Sequence, residues 1–170
     1  RVDAINGGGA KESEVHVLTY LACILRLYEG HPVASWGYGY STNPSGSPFA
    51  ADLQEALNQL TASGFLERSV DVYRLSRSGR SMFDSLRPQW VHAGRLEFLE
   101  AAANTGLALA IPAATGAVLR EPQLRRAIRR SRSAVLLDEA GQALLEPHFD
   151  GLRSVATEND TAGLFSTAVL

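Results

Sequence analysis

The stretch Gly64-Phe65-Leu66-Glu67-Arg68-Ser69-Val70-Asp71-Val72-Tyr73-Arg74-Leu75-Ser76-Arg77-Ser78-Gly79-Arg80 decides how the chain reads. Gly64 is the residue type that closes a helix in the left-handed conformation. Phe65-Leu66-Glu67-Arg68 then reads as a strand, Val70-Asp71 as a turn, and Val72-Tyr73-Arg74-Leu75 as a second strand with apolar alternation. Ser76-Arg77-Ser78-Gly79-Arg80 leads into a helix over about 79–86, ended by Arg87-Pro88. The unit expected is an antiparallel hairpin at about 65–75, set between two helices.

Upstream, Ser47 reads as an N-cap with Pro48 at the first helical position, followed by Asp52 and Glu55. Phe49, Leu53, Ala56, Leu57 and Leu60 make the expected buried stripe of this helix, and Ala51, Gln54, Glu55, Asn58, Thr61 and Ala62 its opposite face. An earlier helix is expected over about 14–29, with Ser13 as N-cap, Val15, Leu18, Leu21, Ala22, Leu25 and Tyr28 at helical spacing, and Gly30-His31-Pro32 as the stop. Between the two, residues 31–47 read as a Gly-, Pro- and aromatic-rich loop with a short helix near 32–35. The alternation of Trp36, Tyr38 and Tyr40 permits a brief strand.

Downstream of the hairpin the chain reads as helical: about 91–110, with Leu96, Leu99, Ala102 and Ala103 inward and a break at Ile111-Pro112, then about 121–133, then about 134–155 with Pro147 inside it. The tail from Thr157 is polar and then apolar. The expected organisation is a flexible lead-in at 1–12, a compact unit at 13–87 and a helical, partner-binding extension at 88–170.

Composition bounds the function. The chain has 170 residues, 45% of them hydrophobic and 20% charged, which is globular usage rather than that of a disordered chain. The net charge of −2 makes any nucleic-acid surface a local patch. No apolar run is long enough to span a bilayer, and the absence of a signal pattern suits the cytoplasm. Arginine outnumbers lysine 15 to 1 among the 16 basic residues, and arginine forks suit phosphate and carboxylate partners.

The order of helix, helix closed by Gly64, hairpin and Leu75-Ser76-Arg77-Ser78-Gly79-Arg80 resembles the winged helix. The expected fold class is therefore α+β, mostly helical: a winged helix-turn-helix with a two-stranded wing, followed by a helical C-terminal half. Ser47-Pro48-Phe49-Ala50-Ala51-Asp52-Leu53 is similar to the Gly-Pro-Phe-Ser-x-x-Leu helix start of small winged-helix modules in phage-defence and toxin–antitoxin operons, with Ser47 where that pattern often has Gly. The layout over about 14–155 resembles the middle component of bacterial three-component ABC-ATPase systems. That resemblance implies a non-catalytic subunit bridging an SMC-like ATPase and an effector.

No residue pattern points to catalysis. The single cysteine, Cys23, lies in an apolar helix and excludes an intrachain disulfide. His16, His31, His92 and His148 lack metal-ligand spacing, and no nucleophile elbow is present. The expectation is no catalytic residue, no metal and no cofactor.

Binding chemistry is more legible. If the second helix reads double-stranded DNA, Gln54 and Asn58 are the amides suited to adenine, although that face holds Glu55 and no cation. Arg68, Arg74, Arg77 and Arg80, with Arg87 and Arg95, stand against Asp71 and Asp84 for a local balance of +4 over 68–95, the charge that phosphate contacts need. The densest cluster is Arg120, Arg125, Arg126, Arg129, Arg130 and Arg132 against Glu121, with Leu124, Ile128 and Val135 as the expected apolar stripe. Arg125, Arg126, Arg129 and Arg130 are candidates for binding a partner protein or phosphate. The alternative reading is a homodimeric DNA-binding transcriptional regulator, with residues 89–155 as dimerisation helices.

Overall fold

The chain, seen in a computed structural model that describes residues 9–108, 113, 116, 118–129 and 134–155, is an α+β protein, mostly helical, with two small antiparallel sheets. Helix α1 (Glu12–Tyr28) is apolar nearly all round and is buried accordingly, from Val17 to Leu27. It starts at Glu12 rather than after Ser13. Ala10–Lys11 form strand β1, which pairs with a later strand (Ala10↔Tyr73, Lys11↔Val72), and the Glu12 N–H reaches Asp71 O at 2.9 Å. That pairing shortens the expected lead-in, of which residues 1–8 lie outside the described residues. Gly30, at φ 85°, turns the chain out of α1.

A 3₁₀ turn (Val33–Ser35) leads to β2 (Tyr40–Thr42) and β3 (Pro48–Phe49), which form a hairpin with Thr42 opposite Pro48. The Ser47-Pro48 helix start is thereby overturned. The Ser47 carbonyl accepts from Asn43 N at 2.9 Å, and the Ser47 N–H donates to Asn43 Oδ1 at 2.8 Å, so hairpin closure takes both backbone groups. Helix α2 (Ala51–Ala62) begins after this, with Ala50 as an N-cap that has no side-chain acceptor. Its buried stripe is also narrower than expected: Leu57 is buried and Leu53 half-buried, while Ala56 and Leu60 are exposed.

Strands β4 (Leu66–Ser69) and β5 (Val72–Leu75) pair in the register Leu66↔Leu75 to Ser69↔Val72, as the alternation indicated. Val70 supplies the turn at φ 57°. With β1 they form the sheet β1-β5-β4. Helix α3 (Arg77–Leu86) starts slightly earlier than expected because Ser76 Oγ caps it, accepting from Gly79 N at 3.0 Å.

The C-terminal half adds α4 (Trp90–Ala108), α5 (Pro122–Arg129), β6 (Val135–Leu136) and α6 (Glu139–Val155). The Ile111-Pro112 break and the tail from Thr157 fall outside the described residues. The single helix expected over 134–155 is corrected: Val135–Leu136 pair with β2 (Tyr40↔Leu136), and α6 starts after Asp138, whose Oδ1 accepts from Gly141 N at 2.7 Å. One hydrophobic core joins α1, Trp36, Tyr40, Ala50, Phe98, Ala102, Leu124, Leu136, Leu145 and Phe149, so packing runs straight across the expected division at 87/88. Each fully buried leucine of this set stabilises by roughly 1.5–3 kcal/mol.

Candidate functional site

The two amides on α2 have different surroundings. Gln54 is half-buried rather than outward, and its amide sits in a polar cluster. His16 Nε2 lies 3.0 Å from Gln54 Oε1, and Gln54 Nε2 donates to Glu12 Oε2, Tyr73 OH and Asn58 Oδ1 at 3.3–3.4 Å. Asn58 is exposed, on a face it shares with Asp52 and Glu55. Both carboxylates repel the phosphates that a groove-bound helix must approach.

The arginines on and beside the β4–β5 hairpin do not converge. In the hairpin register Arg68 opposes Tyr73 and shares one face with it, while Arg74 opposes Glu67 on the other. Arg68 is paired with Glu12 at 3.1 Å, and its guanidinium lies 5.3 Å from the Tyr73 ring centre. Arg77 and Arg80 are exposed on α3.

Helix α5 presents its arginines together. Leu124 and Ala127 are buried beneath it, which corrects the expected stripe: Ile128 is 42% exposed and Val135 is 70% exposed. Arg125, Arg126 and Arg129 are exposed, and neither they nor Arg120 form an ion pair among the described residues. Arg130 and Arg132 lie outside the described residues. The neighbouring acid is directed inward. Glu121 Oε2 accepts from Leu124 N at 2.8 Å and from Tyr20 OH at 3.0 Å, which caps α5 and ties it to α1. Ile128 also leans on the β2–β3 turn, where a Cβ on Gly46 would come within 2.9 Å of it. The arginine face is therefore unneutralised and held by the core.

Sequence reasoning missed a second feature. Trp36, Tyr38, Phe83, Leu86, Leu96 and Leu99 enclose an open slot of about 290 Å³, with Arg87 and Arg95 as its charged members. The clue in the sequence was the Trp36/Tyr38 alternation, but nothing local brings it against α3 and α4.

Burial favours the neutral form of one thiol and three phenols. Burial pushes the Cys23 thiol up to about 12, against a smaller opposing pull from Arg26. Burial also raises Tyr20, helped by the Glu121 carboxylate, and it raises Tyr38 and Tyr40. A protonated thiol is a poor nucleophile. Among the described residues no group of His, Cys, Asp and Glu is placed to hold a metal ion, and no helix is long and apolar enough to cross a membrane.

Comparison with known proteins finds no matching family model, no matching curated protein and no matching solved structure.

Proposed function

We propose that the chain is a non-enzymatic adaptor built on a winged helix, which bridges an SMC-like ABC ATPase and an effector in a bacterial anti-phage complex. The observation that carries an adaptor role is the α5 face: Arg125, Arg126 and Arg129, exposed together without an ion pair among the described residues. Like charges at i,i+4 spacing, as at Arg125 and Arg129, cost about 0.2–0.5 kcal/mol, and an acidic partner surface relieves them while steering association. The winged-helix part is supported by the sheet order β1-β5-β4 between α1, α2 and α3. One departure from a helix-turn-helix stands beside it: a 3₁₀ turn and the β2–β3 hairpin occupy the place of a helix between α1 and α2. The ATPase and effector come from the resemblance of layout.

A protein partner is favoured over DNA at α2 because Asp52 and Glu55 flank Asn58 and Gln54 is engaged inward. Any DNA contact would fall to exposed arginines such as Arg74, Arg77 and Arg80. The test is co-expression with the products of the flanking genes, followed by gel filtration and a DNA shift assay of the chain alone. The adaptor reading expects a stable complex containing an ATPase. A chain that is a homodimer by itself and shifts a palindromic operator would replace it with the regulator.

A further inference from the structure

We infer that the slot between the 31–39 loop, α3 and α4 is a binding site for a small aromatic carboxylate. This inference is independent of the adaptor reading. The walls are apolar and largely aromatic (Trp36, Tyr38, Phe83, Leu86, Leu96, Leu99), and Phe83 and Leu86 leave 42% and 36% of their surface to solvent. A volume of about 290 Å³ is at the small end of ligand clefts, which suits a compact ring system. The half-buried Tyr38 ring stands edge-on to the buried Trp36 at 5.9 Å, which fixes it in the wall.

The charge of the slot selects the guest. Among the described residues its lining contains Arg87 and Arg95 and no carboxylate. Arg87 is already paired with Glu100 at 2.7 Å. Arg95 makes no hydrogen bond or ion pair among the described residues. Its position is built rather than incidental. Its guanidinium lies against Gly37, where an added Cβ would fall 2.5 Å from Nη2, and Gly37 sits at φ 98°, a conformation that favours glycine. An exposed planar fork in the lining of an apolar slot is matched by a planar carboxylate on an apolar body. Inside the same wall, the Trp36 ring is almost fully buried.

The experiment is calorimetric titration of the full chain with 2-naphthoate and with its neutral isostere 2-naphthamide. Wild type is expected to bind the acid at least tenfold more tightly than the amide. Arg95→Gln, at an exposed position and checked for fold by circular dichroism, is expected to remove that preference. Arg129→Gln on α5 is expected to keep it. Equal affinity for acid and amide in wild type, no binding of either at millimolar concentration, or a preference that survives in a folded Arg95→Gln would each overturn the inference. The comparison of acid with amide needs no variant, so the inference stays testable if a substitution perturbs folding.

Discussion

His16 Nδ1 accepts the backbone N–H of Ala50 at 3.2 Å. Because a backbone amide only donates, Nδ1 is the unprotonated nitrogen, and Nε2 carries the hydrogen that it gives to Gln54 Oε1. The imidazole also lies 4.7 Å from the Phe49 ring. A side chain of α1 therefore satisfies the backbone N–H of the N-cap residue of α2, the role that an N3 carboxylate plays in a capping box. Replacing His16 by Leu leaves the Ala50 N–H buried and unpaired, at an expected cost of about 1–3 kcal/mol. Urea denaturation checks this. An unchanged midpoint would show that Ala50 finds water instead.

Leu57→Ala is expected to lower stability by roughly 2–5 kcal/mol, and Asn58→Ala by no more than about 0.5 kcal/mol. Leu57 is the buried residue of α2, whereas Asn58 is exposed and its main contact is a 3.4 Å approach from Gln54. Comparable melting shifts for the two variants would mean that α2 is rotated from this placement.

Gly79→Ala is expected to destabilise by about 1–3 kcal/mol or more, the cost of overpacking. A Cβ there would lie 2.0 Å from the Phe65 carbonyl oxygen, which is backbone and unable to swing aside. A variant that melts with wild type would contradict the close packing of α3 on the hairpin.

Alkaline pH should expose the buried thiol. Cys23 titrates near 9.0 when free of the fold and at about 12 within it. Its folded value is raised, so its contribution to stability is complete below about pH 9 and is lost as pH rises from there toward 12. A shift of that size corresponds to on the order of 4 kcal/mol. Melting temperatures at pH 7.5, 9 and 10.5 should fall more steeply for wild type than for Cys23→Ala. Parallel curves would show that the site admits water.

What the sequence discloses and what it hides divide along physical lines. The β4–β5 hairpin is legible because its signals are local: Gly64, the alternation and Ser76 all lie within a few residues of what they specify. Ser47-Pro48 misleads because a good helix start competes with hairpin pairing to Thr42, and the hairpin wins because β2 is also held by β6 from far along the chain. Val135–Leu136 reads as helix because a two-residue strand depends wholly on β2, nearly a hundred positions away. Among the candidate site residues, Gln54 reads as outward because polar residues usually face water, and only the fold brings Glu12, His16 and Tyr73 around it. Arg125, Arg126 and Arg129 are legible as exposed because their charge alone forbids burial. Arg95 is not legible as a slot residue, because Gly37 and Trp36 reach it only through the tertiary fold.

The most direct test of the account is to replace Arg125, Arg126 and Arg129 together with Glu, then measure the association rate with the co-purified partner at two salt concentrations. The side chains are exposed and lie off the buried Leu124 and Ala127, so the variant should fold as wild type does by circular dichroism. The account expects the wild-type rate to drop as salt is raised, the variant rate to be far lower and nearly salt-independent, and DNA competitor to change neither. If DNA is the ligand instead, competitor abolishes binding and the log–log salt slope flattens by roughly 0.9 for each arginine lost. A folded variant that associates as fast as wild type at both salts would contradict the central claim.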